Sequence, residues 1–352
     1  MKTRTLRQIA LAGAAAGLLA SCSSLNYYAQ AARGQVSLLT DARPIEDWLA
    51  DNGTDSKLRV RLATARQIRS FAVKELGLPD NGSYKNYAKL SRPYVLWNIV
   101  ATPELSLRPL QWCFPVAGCV NYRGYYSKED AQAYAQELRA GGHDVQVGGV
   151  PAYSTLGWFN DPLISTFIQY PDAELARLIF HELSHQVIYV PGDSQFNESF
   201  ASAVEEAGVE RWLAGFGNDV MRQNYAKFAA RKKDFLKLLL EYRHALEVNY
   251  ASKAPAASRR ETKARLFVQL KDDYLLLKES WGGFAGYDRF FAEPLSNAHL
   301  ASVATYTDFV PAFRALLARE KTFAGFYDAA RKLAALEKAE RHRRLKALVA
   351  RA

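Results

Sequence analysis

Apolar residues recur at helical spacing in two long stretches of the chain, separated by a shorter one in which they alternate. From Asn26 to about Leu78, Leu58, Val60 and Leu62, then Ile68, Phe71, Val73 and Leu76, supply the apolar positions of helices interrupted at Pro44 and at the turn-forming run Asp51-Asn-Gly-Thr-Asp55. The segments from Tyr94 to Ala101 and from Cys113 to Tyr126 are rich in β-formers. Lys128 to Ala140 predicts a helix closed by Gly141-Gly142, and His143 to Val150 alternates as a strand does. A helix from Asp172 to about Val190 follows. Beyond it nearly everything is helical: Asn197 to Trp212, Val220 to Val248, Arg259 to Glu279, and Asp308 to the end, with a turn at Ser252 to Ser258. The pattern predicts an α+β, mainly helical fold. Its parts are an N-terminal helical region at 22–92, a mixed core at 93–215 and a C-terminal helical region with a basic tail at 216–352.

Composition narrows the class. Of 352 residues, 49% are hydrophobic and 23% charged, which excludes a disordered or collagen-like chain. The apolar run from Ile9 to Ala20 is too short to span a bilayer as a stable helix. The net charge of +10 is unevenly spread: Lys2, Arg4 and Arg7 sit at the start, and eight basic residues from Arg331 to Arg351 face only Glu337 and Glu340 at the end. The body between them is close to neutral, so the chain predicts no nucleic-acid partner, and the tail reads as a solvated or phospholipid-facing helix.

Met1 to Ser21 has the positive, apolar and small-residue regions of a signal peptide, and Leu19-Ala20-Ser21-Cys22 resembles the bacterial lipobox. That resemblance implies a diacylated Cys22 as the first mature residue. Ser23, in place of an aspartate, implies a lipid-anchored protein of the cell envelope on the outer membrane, facing the periplasm. Cys113 and Cys119 flank Pro115 and Gly118, which let the chain turn back, and an oxidising compartment favours a disulfide over a metal pair or redox dithiol.

The strongest chemical signal is His181-Glu182-Leu183-Ser184-His185. With six histidines in the chain, a chance His-Glu-x-x-His is expected only ~0.01 times. On a helix the two imidazoles stand at i and i+4 and can share one Zn²⁺, one per chain, with Glu182 beside the open coordination position. Leu175, Leu178, Ile179, Phe180, Leu183, Val187 and Ile188 predict a buried helix, where such groups need a partner. The metzincin continuation is absent, leaving Asp193, Glu198, Glu205 and Glu206 as the next acids.

His181-Glu-Leu-Ser-His-Gln186 followed by Asn197-Glu-Ser-Phe-Ala201 resembles the paired motifs of aminopeptidase N-type gluzincins, which implies Glu198 as the third ligand. The twelve residues between His185 and Glu198 are fewer than in those enzymes, whereas Glu205, after nineteen, matches the thermolysin-type interval. Glu205 is assigned to orienting a ligating histidine. Over a wider span, Cys113-Phe-Pro-Val-Ala-Gly-Cys119, Tyr122-Arg-Gly-Tyr-Tyr126, Tyr153-Ser-Thr-Leu-Gly-Trp-Phe-Asn-Asp-Pro162 and the zinc motif resemble the bacterial putative aminopeptidase family, from about Tyr27 to Tyr327.

The implied activity is that of an aminopeptidase with a zincin-like catalytic core at 93–215, hydrolysing peptides in the cell envelope by a zinc-dependent reaction with Glu182 as general base. Tyr306 is the candidate oxyanion donor, with His299 and Tyr287 behind it. Tyr153 to Phe159 is a candidate edge strand for the substrate peptide. The Gly-x-Met-Glu-Asn motif that holds a substrate's α-ammonium in aminopeptidase N-type enzymes is missing, and Asp161 and Glu205 are its possible substitutes. An endopeptidase, or a lipoprotein scaffold retaining zinc, are the alternatives. Cys22→Ser should block lipid attachment and yield an unprocessed precursor or a soluble form; cell fractionation that finds this variant mature and still acylated would refute the lipobox assignment.

Overall fold

The computed structural model describes residues 26–114, 118–301, 303 and 309–349. Cys22, Pro115 and Tyr306 therefore lie outside the described residues. The fold is α+β and mainly helical. In chain order it comprises α1 (26–40), β1 (Arg43–Pro44), α2 (Ile45–Ala50), α3 (Ser56–Leu76), β2 (Asn86–Ala88), β3 (Leu96–Pro103), β4 (Trp112–Phe114), β5 (Gly118–Val120), β6 (Arg123–Tyr125), α4 (Lys128–Ala140) and β7 (His143–Val150). Then come β8 (Leu163–Ile164), α5 (Asp172–Ser184), α6 (Ser194–Phe216), α7 (Asp219–Ala251), α8 (Ala256–Ser280), α9 (Asn297–Ala301), α10 (Val310–Glu320), α11 (Phe323–Ala334) and α12 (Lys338–Val349).

Strand β3 is the centre of an antiparallel sheet in the order β6-β3-β7, with Ile99 opposite Val147 and Arg123. Helix α4 covers one face, where Ala131 and Ala135 allow close approach to Trp97, Ile99 and Val145. The β4–β5 hairpin is closed by the Cys113–Cys119 disulfide, in register as a facing pair. The main core draws on α3, α5, α6 and the last three helices, so segments far apart in the chain share one interior. A second, aromatic core joins α7 and α8, where Phe235 stacks on Tyr287 and Tyr274 on Phe291.

Helices α5 and α6 are antiparallel neighbours and the framework of the site. They pack tightly at Gly208, where a Cβ would stand 2.8 Å from both Leu76 Cδ1 and Phe180 Cδ2. Helix α5 ends at Ser184 instead of continuing to Val190. The run Val187-Ile-Tyr-Val190 is poor helix material, and Pro191 disfavours the helical region at the residue before it. Helix α6 begins three residues earlier than the pattern predicts, because the Asp193 side chain accepts a hydrogen bond from Phe196 N and caps it. The C-terminal stretch divides into three helices. Lys321 adopts a left-handed C-cap at φ 61° and Thr322 caps the next helix.

The segment Tyr153 to Phe159 is an irregular loop, not the edge strand its β-formers suggest. Leu156 and Gly157 take positive φ, and Asp161 accepts from Thr155 N at 2.9 Å and Thr155 Oγ1 at 2.7 Å, closing the loop on itself. Burial raises the Asp161 pKa to about 6, against the lowering effect of those hydrogen bonds. The basic tail also departs from a purely solvated helix, since Arg341 and Leu345 of α12 are buried.

Gly208→Val should lower the unfolding free energy by about 1–3 kcal/mol through overpacking at the α5–α6 contact; an unchanged denaturation midpoint would contradict it. A carboxyl whose folded pKa lies above its unfolded value favours folding most when protonated. The Asp161 contribution is therefore present below about pH 4 and is lost as pH rises towards 6. Asp161→Asn should remove that downward component from the pH profile of stability, and a profile parallel to the parent's would count against it.

Candidate metal centre and its cleft

The sequence between α5 and α6 determines how the two helices face each other. Asn197, buried in the first turn of α6, accepts a hydrogen bond from Val190 N at 2.8 Å and donates to Val190 O at 2.9 Å. One amide side chain thereby supplies the partner that Val190 N lacks outside the helix and shares Val190 O with Asp193 N. Next to it, Ser199 Oγ accepts from Phe309 N at 3.2 Å, and Phe200 and Ala201 are fully buried. Residue 198, between these fixed neighbours, is left facing α5.

There Glu198 meets both histidines. Its carboxylate lies 3.3 Å from His181 Nε2 and 3.9 Å from His185 Nε2. The two Nε2 atoms are 3.3 Å apart, with the rings nearly perpendicular at 85°. Candidate ligand atoms of these three residues all fall within 4.8 Å of one another. Glu205, two turns further along α6, stands at the opposite nitrogen: its Oε2 is 2.8 Å from His181 Nδ1. A carboxylate there favours the tautomer with the proton on Nδ1 and a lone pair on Nε2. Arg177, one turn before His181, holds Glu205 at 3.0 Å and Glu174 at 2.8 Å, and Lys232 of α7 lies 3.6 Å from Glu205.

The electrostatics of this set favour a positive charge at its centre. Burial disfavours a charged His181, yet its hydrogen bonds to Glu198 and Glu205 prevail and lift the pKa to about 10. Burial pushes His185 down to about 4, so that ring is neutral. Burial would raise Glu205, but Arg177, followed by the His181 hydrogen bond, holds it near 2. Glu198 is lowered as well, its burial outweighed by the two imidazoles. Two ionised carboxylates, two imidazoles and facing Nε2 atoms form a donor set suited to a divalent cation of zinc type. Glu182 lines the same cleft and makes no hydrogen bond among the described residues; burial and then Glu198 raise its pKa to about 7, against the lowering effect of His181.

This cluster lies in a cavity of about 1580 Å³ walled by α1, the β3–β6–β7 sheet, the loop at 153–159 and α7. Tyr126 donates to Gln35 Oε1 at 2.8 Å and lies 2.6 Å from the Tyr153 hydroxyl, which also bonds Gln35. Tyr122 and Tyr189 bring hydroxyl-bearing rings to the cluster. Both have pKa values raised by desolvation and then by Glu198, and Tyr189 packs edge-on to His185 with centroids 6.4 Å apart.

Of the residues predicted from sequence, His181, Glu182, His185, Glu198 and Glu205 come together here. Tyr306 lies outside the described residues. Tyr287 and His299 do not line the cavity: Tyr287 stacks in the aromatic core, and His299 faces Ser296 and Phe290. Asp161 is engaged by Thr155, and Glu205 by Arg177 and His181. Arg177 and Tyr189 carry no motif in the sequence, and Asn197 and Tyr122 enter there only as the first residues of motifs, without a role of their own. Arg177 stands four residues before His181, a helical spacing that offered a signal for it, whereas Tyr189 lies beyond the end of α5, where that spacing does not apply.

No curated protein sequence and no solved structure matches the chain. Residues 26–345 match the family model described as "Putative aminopeptidase". With nearly all of the described residues inside that match, the chain belongs to the Putative aminopeptidase family.

Proposed function

We propose that the protein is a zinc-dependent peptidase of the gluzincin type with a zincin-like core, acting as an aminopeptidase on peptides of the cell envelope. The observation that carries this is the convergence of His181, His185 and Glu198 at one point of a large cleft, with Glu205 behind His181. His181 Nε2, His185 Nε2 and the Glu198 carboxylate would hold the ion. When bound, zinc supplies a Lewis acid that acidifies water and polarises a carbonyl.

The remaining work falls to the chain. Glu182 is buried with a pKa raised to about 7, near the value a general base needs at neutral pH. It takes a proton from the attacking water and returns it to the leaving amine. Glu205, held ionised by Arg177, orients His181. The lipobox-like start of the chain supports an outer-membrane tether facing the periplasm, and the family description supports the amino-terminal specificity.

The cavity's size favours a second reading, that of an endopeptidase. At about 1580 Å³ it exceeds the roughly 300–1,000 Å³ of ordinary small-molecule pockets and suits an extended peptide. Hydrolysis of free but not N-blocked peptides by the zinc-loaded protein would support the aminopeptidase; equal rates on both would favour the endopeptidase.

Glu182→Gln should retain stoichiometric zinc and lose at least about 100-fold in kcat, the scale of general base catalysis. Full turnover by this variant would require a different base. Glu198→Ala should weaken zinc binding by orders of magnitude, and Glu205→Ala by about 10–100-fold; the reverse ranking would make Glu205 the ligand.

A further inference from the structure

Glu198 opens the second turn of α6, and the turn before it is gripped from outside the cleft by a helix far along the chain. Asp193, the N-cap of α6, is buried, and its carboxylate receives Arg341 Nε at 2.9 Å and faces His342 Nε2 at 2.9 and 3.0 Å. Arg341 is itself buried. It donates to the carbonyls of Ala334 and Leu336 at 2.8 Å each and lies over the Phe196 ring at 5.3 Å. One turn earlier on the same face of α12, Lys338 Nζ donates to Gly192 O at 2.8 Å. From the other side the disulfide-closed hairpin abuts this point: a Cβ on Gly118 would stand 2.7 Å from Gly192 N.

A surface ion pair would fix little, but a buried carboxylate held by a buried guanidinium and a half-buried imidazole fixes a unique arrangement, because any displacement strands the carboxylate or the guanidinium without its partner. Five residues, about 7.5 Å of helix, separate Asp193 from Glu198, so a shift of the cap carries into the carboxylate's position. Arg343 and Arg344 pair with Glu340 on the surface of α12 and take no part.

We propose that α12 is a positioning element for the candidate metal centre: Arg341 and His342, acting through Asp193, set the place of the first α6 turn and hence of Glu198. Zinc affinity then depends on residues that never touch the ion. This rests on the zinc reading of the site.

The test uses the purified full chain, with zinc affinity measured by chelator competition and amide deuterium exchange followed over residues 194–200. Arg341→Met and His342→Leu should each weaken zinc about 10–100-fold, the scale for supporting residues around a metal, and accelerate exchange in that turn. Arg341→Lys should recover part of the affinity, and Arg343→Ala with Arg344→Ala should change neither readout. Should Arg341→Met fail to fold, His342→Leu and Lys338→Met carry the comparison. Variants that melt cooperatively and keep parental affinity and exchange would overturn the proposal. A parent that binds no zinc would refute the metal reading instead, and exchange at 194–200 would still decide whether α12 holds the turn.

Discussion

Two hydrogen bonds between the Asn197 side chain and the backbone of Val190 tie the start of α6 to the end of the segment that follows α5. They close the segment joining α5 to α6, so that the helix bearing His181 and the helix bearing Glu198 meet in one register. Without that closure, two imidazoles and two carboxylates would be buried apart from one another, and each would carry the cost of desolvation alone. With it, Glu205 fixes one nitrogen of His181 while the other faces Glu198 and His185.

The surroundings extend this constraint in layers. Arg177 and Lys232 keep Glu205 ionised, and Gly208 lets α5 and α6 approach at the far end of the pair. The last three helices, which make no hydrogen bond or ion pair with His181, His185 or Glu198 among the described residues, pack into the same core. A chemical centre inside a mainly helical fold thus draws its geometry from segments throughout the chain. The cleft beside it takes its walls from the N-terminal helix, the sheet and α7.

Much of this was legible in the sequence where a local rule dominates. Lys128 to Ala140 is bounded by a serine N-cap and two glycines, and His143 to Val150 alternates beside it; both elements have the predicted limits. His181-Glu-Leu-Ser-His185 names its own geometry because i and i+4 share a helix face. Legibility failed where tertiary contacts decide. The residues from Tyr153 to Phe159 have strand propensity, but Asp161 closes them into a loop. Arg341 reads as one of many basic tail residues, yet it is buried because Asp193, far away in sequence, meets its charge. Tyr122 reaches the cleft through the β6 neighbourhood, which no spacing rule foretells.

The measurement that bears most directly on the central claim is anomalous diffraction at the zinc edge from crystals of the zinc-loaded protein. One peak per chain is expected at about 2.0–2.2 Å from His181 Nε2, His185 Nε2 and a Glu198 oxygen, with Glu205 on His181 Nδ1 and not on the ion. A peak ligated by Glu205, or none between the two histidines, would contradict it.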